Sequence, residues 1–129
     1  MTIGIEMGRT PGGAAATLDL EELLSTRLLV QGNSGSGKSH LLRRLLEQSA
    51  PWVQQVVIDP EGDFCTLADK FGHLVIDAGD HSEAQLAGVA DRVRRHRASV
   101  VLNLDSVEVE QQLRAAAAFL GGLFEANRD

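Results

Sequence analysis

Two periodicities alternate along this chain. Short continuous apolar runs occur at Leu28-Leu29-Val30, Gln55-Val56-Val57-Ile58, His73-Leu74-Val75-Ile76-Asp77 and Ser99-Val100-Val101-Leu102-Asn103-Leu104. Their length and β-branched content suit strands buried on both faces. Between them, apolar residues recur every three or four positions, the spacing of a helix with one face in a core. A helix is predicted over 38–49, with Leu41, Leu42, Leu45 and Leu46 on its stripe and Pro51 as its stop. A short one follows over 66–71. Ser82-Glu83-Ala84-Gln85 has the form of a capping box, and Leu86, Val89, Ala90 and Val93 supply the buried face behind it. The last helix is predicted from Asp105 or Ser106 onward, with Val109, Leu113, Ala116, Leu120, Leu123 and Phe124 stepping along one side. Gly121-Gly122 costs helix stability within that pattern, which points to close packing there.

The first 25 residues follow other rules. Ile3, Ile5 and Met7 alternate as on an edge strand, residues 8–13 hold Pro11 and three glycines of a turn, and 14–18 suit a second short strand. Asp19-Leu20-Glu21-Glu22 then resembles a capping box opening a helical turn. These elements form either a small flap beside a ligand pocket or a free N-terminal arm.

Buried strands alternating with amphipathic helices predict an α/β fold with a mostly parallel sheet covered on both faces. Right-handed crossovers place the C-terminal ends of all its strands on one edge, where ligands bind. The candidate chemistry falls at those ends. Gly32-Asn33-Ser34-Gly35-Ser36-Gly37-Lys38-Ser39 satisfies G-x-x-x-x-G-K-[ST] between a predicted strand and a predicted helix. Its glycines let consecutive N–H groups converge on an anion at the helix N-terminus. Lys38 supplies a charge for the β- and γ-phosphates, and the Ser39 hydroxyl is a ligand for Mg²⁺. His40, in the first helical turn, completes the predicted nucleotide-binding set. The pattern predicts binding of a nucleoside triphosphate.

Composition narrows the setting. The chain has 129 residues, enough for one domain with its own core. Its 18 acidic against 12 basic residues give a net charge of −6, which argues against the whole surface being a nucleic-acid glove. No run is long and apolar enough to span a membrane, and no signal-peptide pattern opens the chain, so a cytoplasmic location is expected. Cys65 is the single cysteine, which fits a reducing compartment, and it reads as a half-buried residue at a helix start. The four histidines show no metal-ligand spacing.

Hydrolysis of a triphosphate also requires carboxylates at strand ends. Asp59 is the strongest candidate, since Glu61 and Asp63 follow within four residues around Pro60 and Gly62. Asp59, Glu61 and Asp63 are therefore candidate catalytic residues with Lys38, and Asp59 is also assigned to the second shell of the Mg²⁺. Asp77 and Asp105 end other strands, where a loop lead-in and a helix cap are simpler roles. Asp59-Pro60-Glu61-Gly62 fits the D-x-x-G of GTPases, but a guanine-reading N-K-x-D element is absent. An arginine-rich lid of the small-molecule kinase type is absent too. Arg92, Arg94, Arg95 and Arg97 crowd around His96, either as the solvated end of a helix or as a contact for a neighbouring subunit or DNA phosphates.

Two motifs together resemble the HerA-FtsK superfamily of ring-forming DNA-pumping ATPases. One is the glycine loop after Leu28-Leu29-Val30. The other is Ile58-Asp59-Pro60-Glu61-Gly62-Asp63-Phe64, similar to that family's second-strand motif, with Asp63 and Phe64 where glutamate and tyrosine are commoner. Thr17-Leu18-Asp19-Leu20 and Val100-Val101-Leu102-Asn103-Leu104-Asp105 add looser matches. The resemblance implies a single P-loop NTPase domain of the RecA/ASCE-like three-layer kind, with residues 1–25 as lead-in and 26–129 as nucleotide-binding core. It also implies ATP and Mg²⁺ as ligands, with Asp59 assisting hydrolysis. A homo-oligomeric ring (a hexamer in that family), double-stranded DNA and a nuclease are the implied partners. The family's Walker B strand, sensor and arginine finger find no counterpart before Asp129, so a fold truncated before the Walker B strand is expected. Two functions stay open: a DNA-translocating ATPase or helicase, and a regulatory module in which ATP occupancy controls partner binding without turnover.

Overall fold

A computed structural model describes residues 3–33 and 37–126. The chain gathers into two compact units, Met1–Val53 and Gln54–Asp129.

The first unit opens with an antiparallel hairpin of β1 (Gly4–Arg9) and β2 (Ala15–Asp19). The alternation read in the sequence is present: Ile5 is buried and Ile3 and Met7 half-buried, while Gly4 and Glu6 face water. Asp19 caps helix α1 (Leu20–Ser25), its carboxylate accepting from the N–H groups of Glu21 and Glu22. Helix α2 spans Lys38–Ser49 and lies on the hairpin, where Arg44 Nε donates to Glu6 O at 3.0 Å. The strand expected over 27–31 does not form. Residues 27–33 carry no regular structure, and Leu28 and Leu29 are exposed. A continuous apolar run becomes a strand only when a ladder partner takes up its backbone N–H and C=O groups, and this segment pairs with no described strand.

The second unit holds β3 (Val56–Asp59), α3 (Leu67–Phe71), β4 (Leu74–Asp77), α4 (Glu83–His96), β5 (Val100–Asn103) and α5 (Val109–Glu125). Its sheet has the order β3-β5-β4 with both pairings parallel, so the last strand in sequence is central. Val100, Val101 and Leu102 of β5 are sealed from solvent, as a strand covered on both faces must be. Ser82 forms the predicted capping box with Gln85, and Leu86, Ala90 and Val93 of α4 are buried.

Helix α5 departs from expectation in two ways. It starts at Val109, because Asp105–Val107 fold as a turn in which Val107 N–H donates to Leu104 O. Its buried face also differs: Ala115 and Phe119 are the buried residues, while Val109, Leu113, Leu120 and Phe124 are exposed. From the predicted stripe only Ala116 and Leu123 pack against the core. The helix carries two apolar stripes, and the one with the smaller residues approaches α4 more closely. Gly122 shows how closely, since a Cβ there would lie 2.6 Å from Ala87 O and 2.9 Å from Ala90 Cβ.

The N-terminal ends of the three parallel strands are joined by polar contacts. His73 Nε2 lies 2.7 Å from Gln55 Oε1, Gln55 N–H donates to Ser99 Oγ, and Leu74 N–H donates to Ser99 O. An amide oxygen only accepts, so Nε2 carries the proton. His73 is 3% exposed, and its Nδ1 has no hydrogen-bond partner among the described residues. Burial pushes its pKa below the ordinary 6.5.

Two outcomes are expected from this packing. Gly122→Ala forces the α4–α5 contact apart and costs about 1–3 kcal/mol. Gly121→Ala meets open space and gains about 0.5–1 kcal/mol of helix propensity. Urea unfolding of both variants checks the pair. For His73, the unfolded chain takes a proton below pH 6.5 while the folded chain resists it. Stability contributed by the neutral ring is thus full above 6.5 and lost as pH falls through the lowered folded value. Asp77, held below its ordinary 3.8 first by Ser106 and then by Gly79 N–H, acts in a separate and lower window. His73→Gln is expected to flatten the pH dependence of unfolding just below 6.5, measured by urea titration at stepped pH.

Candidate nucleotide-binding site

The glycine loop lies in the first unit. Gly32 and Asn33 are exposed, and Ser34, Gly35 and Ser36 of the predicted set lie outside the described residues. Gly37 occupies the N-cap of α2 at φ 93°, a left-handed conformation that favours glycine, and no side chain caps the helix there. Among the described residues, the opening turn of α2, with Lys38, Ser39 and His40, therefore presents backbone donors without a side-chain cap. Lys38 is half-buried, and its Nζ reaches back to Gly32 O at 2.6 Å. Its ammonium is thus held by the Gly32 carbonyl, a weaker partner than a phosphate oxygen. Ser39 and His40 are exposed on the same turn. A helix N-terminus with no side-chain cap among the described residues, and a lysine held only by a backbone carbonyl, fit a phosphate chain in charge and chemistry.

The acidic loop lies in the second unit. Strand register sets Asp59, Asn103 and Asp77 in one row across the C-terminal edge of the sheet. The fold thus places two of the three predicted strand-end aspartates there, Asp59 and Asp77, and adds Asn103 between them. Asp59 is 1% exposed, and its carboxylate accepts from Asp63 N–H at 3.0 Å and Phe64 N–H at 2.9 Å. Its own carbonyl accepts from Leu104 N–H. The carboxylate therefore closes the turn that follows it, while Glu61 and Asp63 are exposed around that turn. Gly62 sits at its apex at φ 78°, facing Asp105 and Asn103.

Cys65 Sγ is 3.8 Å from Asp59 Oδ2. Burial first, and the Asp59 carboxylate second, raise the thiol above its ordinary 9.0, so it stays protonated and unreactive at neutral pH. Asp77 accepts from Gly79 N–H and, at 2.6 Å, from Ser106 Oγ. Asp105 is not a helix cap: its N–H donates to Asn103 Oδ1. Among the described residues, no group of three His, Cys, Asp or Glu side chains is placed to hold a metal ion. No helix among them is long and apolar enough to cross a membrane.

Sequence reasoning passed over Gln112. Its Nε2 donates to Leu104 O at 2.8 Å, with Val107 O at 3.2 Å and Pro60 O at 3.4 Å, so it ties the acidic turn to α5. The one available signal was its place three residues before Ala115 and seven before Phe119, which puts it on their face of the helix. Asn103 was signalled better, as a polar residue ending an apolar strand.

With this geometry in place, comparison with protein families is decisive. The family described as "Helicase HerA, central domain" matches residues 5–118. The chain belongs to that family. The match spans both the glycine loop and the acidic turn, and with it the chain is a nucleotide-binding domain of ATPase type. Comparisons with curated proteins and with solved structures give no match. The parallel sheet with flanking helices agrees with a HerA-type α/β fold in outline.

Since Asp59 closes its own turn, Asp59→Ala removes the charged acceptor from the Asp63 and Phe64 N–H groups. A loss of about 2–4 kcal/mol is expected without nucleotide present, with a smaller loss for Asp59→Asn, which keeps one acceptor oxygen. Urea midpoints of the two variants measure it, and unchanged stability in Asp59→Ala would show that the turn holds without this carboxylate.

Proposed function

We propose that the chain binds Mg²⁺–ATP through Gly32–His40 and forms part of an ATPase that moves along double-stranded DNA as a homo-oligomer. The HerA family match across both motifs carries this reading. In it, the N–H groups around the start of α2 bind the phosphates, Lys38 leaves Gly32 O for the β- and γ-phosphate oxygens, and Ser39 Oγ ligates the metal. Mg²⁺, when bound, neutralises charge on the phosphate oxygens and so eases attack at the γ-phosphorus. Asp59 acts as a positioning residue, since it shapes the turn that carries Glu61 and Asp63. Both of those carboxylates are exposed.

A second reading has its own support. Because the Asp59 carboxylate is occupied by its own turn, ATP binding without turnover, controlling a partner, fits the same residues.

The discriminating measurements are direct. Lys38→Ala is expected to weaken binding of a fluorescent ATP analogue by about 10- to 100-fold, the loss of one charge-assisted phosphate contact. Removal of Mg²⁺ with EDTA is expected to weaken it as well. Affinity unchanged in Lys38→Ala would discard the site. Phosphate release stimulated by duplex DNA then favours the motor, whereas tight binding with no release at any DNA concentration favours the regulatory module.

A further inference from the structure

The acidic turn is fixed to the rest of the second unit at two points of unequal strength. At one, the buried Asp59 carboxylate accepts from Asp63 N–H at 3.0 Å and Phe64 N–H at 2.9 Å. A charged acceptor closed off from water holds such donors firmly. At the other, Gln112 Nε2 faces Leu104 O at 2.8 Å, Val107 O at 3.2 Å and Pro60 O at 3.4 Å.

An amide NH2 has two protons to offer these three carbonyls. Leu104 O and Val107 O lie within ordinary N–H···O range and belong to the segment that leads into α5. Pro60 O lies beyond that range, and it alone of the three belongs to the acidic turn. Pro60 is exposed, so its carbonyl passes to water at little cost when the amide leaves it. Gln112 then still has an acceptor for each proton. Between the two fixings lies Gly62 at φ 78°, where even an added Cβ would meet nothing closer than Asp105 Cβ at 3.5 Å. The limb is not wedged against its neighbours, and glycine leaves its backbone free to turn.

We propose that Gln112 is a latch on the acidic turn. Engaged on Pro60 O, it holds residues 60–62 against the start of α5. Released, that limb swings about Gly62 and re-aims Glu61, while Asp63 and Phe64 stay with Asp59. The seating of α5 sets the latch, because Gln112 rides in the first turn of that helix. The latch does not rest on the nucleotide reading, and no nucleotide enters its test.

The test follows backbone amides of the isotope-labelled chain and two variants. A hydrogen bond to a carbonyl is felt by the N–H of the same peptide group, so Glu61, Asp105 and Glu108 report on Pro60 O, Leu104 O and Val107 O. Gln112→Met keeps the bulk of the side chain and removes its donor. It is expected to shift the Glu61 and Gly62 signals while the Asp63 and Phe64 amides keep their protection from exchange. Gln112→Glu is expected to do the same at neutral pH, since a carboxylate only accepts. Acidification restores a donor and is expected to return the Glu61 signal towards its original position. The midpoint is expected above about 4.3, because surrounding carbonyl oxygens disfavour the charged form. The native carboxylates of Asp59, Glu61, Asp63, Asp105 and Glu108 titrate in the unsubstituted chain too, so the difference between the two chains is read. The proposal is overturned if Glu61 stays in place in Gln112→Met, or if Asp63 and Phe64 lose protection together with the shift at 61–62, which makes the turn one rigid piece. It is equally overturned if the Glu61 signal of Gln112→Glu does not return on acidification. If Gln112→Glu does not fold, Gln112→Met decides by the first two outcomes.

Discussion

Strand β5 is hydrogen-bonded on both sides, to β3 and to β4, and its Val100, Val101 and Leu102 are closed to water. A parallel ladder in common register across three strands leaves little freedom at the strand ends. Once Val100 aligns with Val56 and Leu74, Asn103 must align with Asp59 and Asp77. The polar row at the C-terminal edge is thus a consequence of core packing. Slippage by one residue would turn Val101 to the opposite face and break the row together with the core.

Packing above the sheet depends on close approach. Small residues at 115, 118 and 122 bring α5 against α4, and Phe119 fills the space that remains. The same seating sets Gln112 against the carbonyls of Pro60, Leu104 and Val107. Helix packing and the shape of the acidic turn are therefore linked through one side chain. At the other end of the sheet, the neutral His73 ring and Gln55 link two strand entries in a place where a charge would be poorly solvated. One end of the sheet is closed by neutral polar contacts, and the other gathers carboxylates and turns.

The two motifs use their backbones in opposite senses. At the start of α2, no side-chain cap is present among the described residues, an arrangement that favours an incoming anion. At Asp59, the N–H groups of the turn already have their anion, supplied by the chain itself. The two motifs differ in this way although both are short, glycine-containing and follow apolar runs.

The sequence alone determined most local structure. Helix α2, the capping box of α4, the Asp19 cap and the three parallel strands were legible because each rests on neighbouring residues or on a plain periodicity. The G-x-x-x-x-G-K-[ST] pattern was visible for the same reason, since it lies in eight consecutive residues. Tertiary structure decided what depends on distant partners. It left 27–31 without a ladder, chose between the two apolar stripes of α5 by how closely each could approach α4, and turned the Asp59 carboxylate inward. Spacing along the chain can propose a strand or a buried face, but pairing and close contact are made with residues far away in sequence, and only folding supplies them.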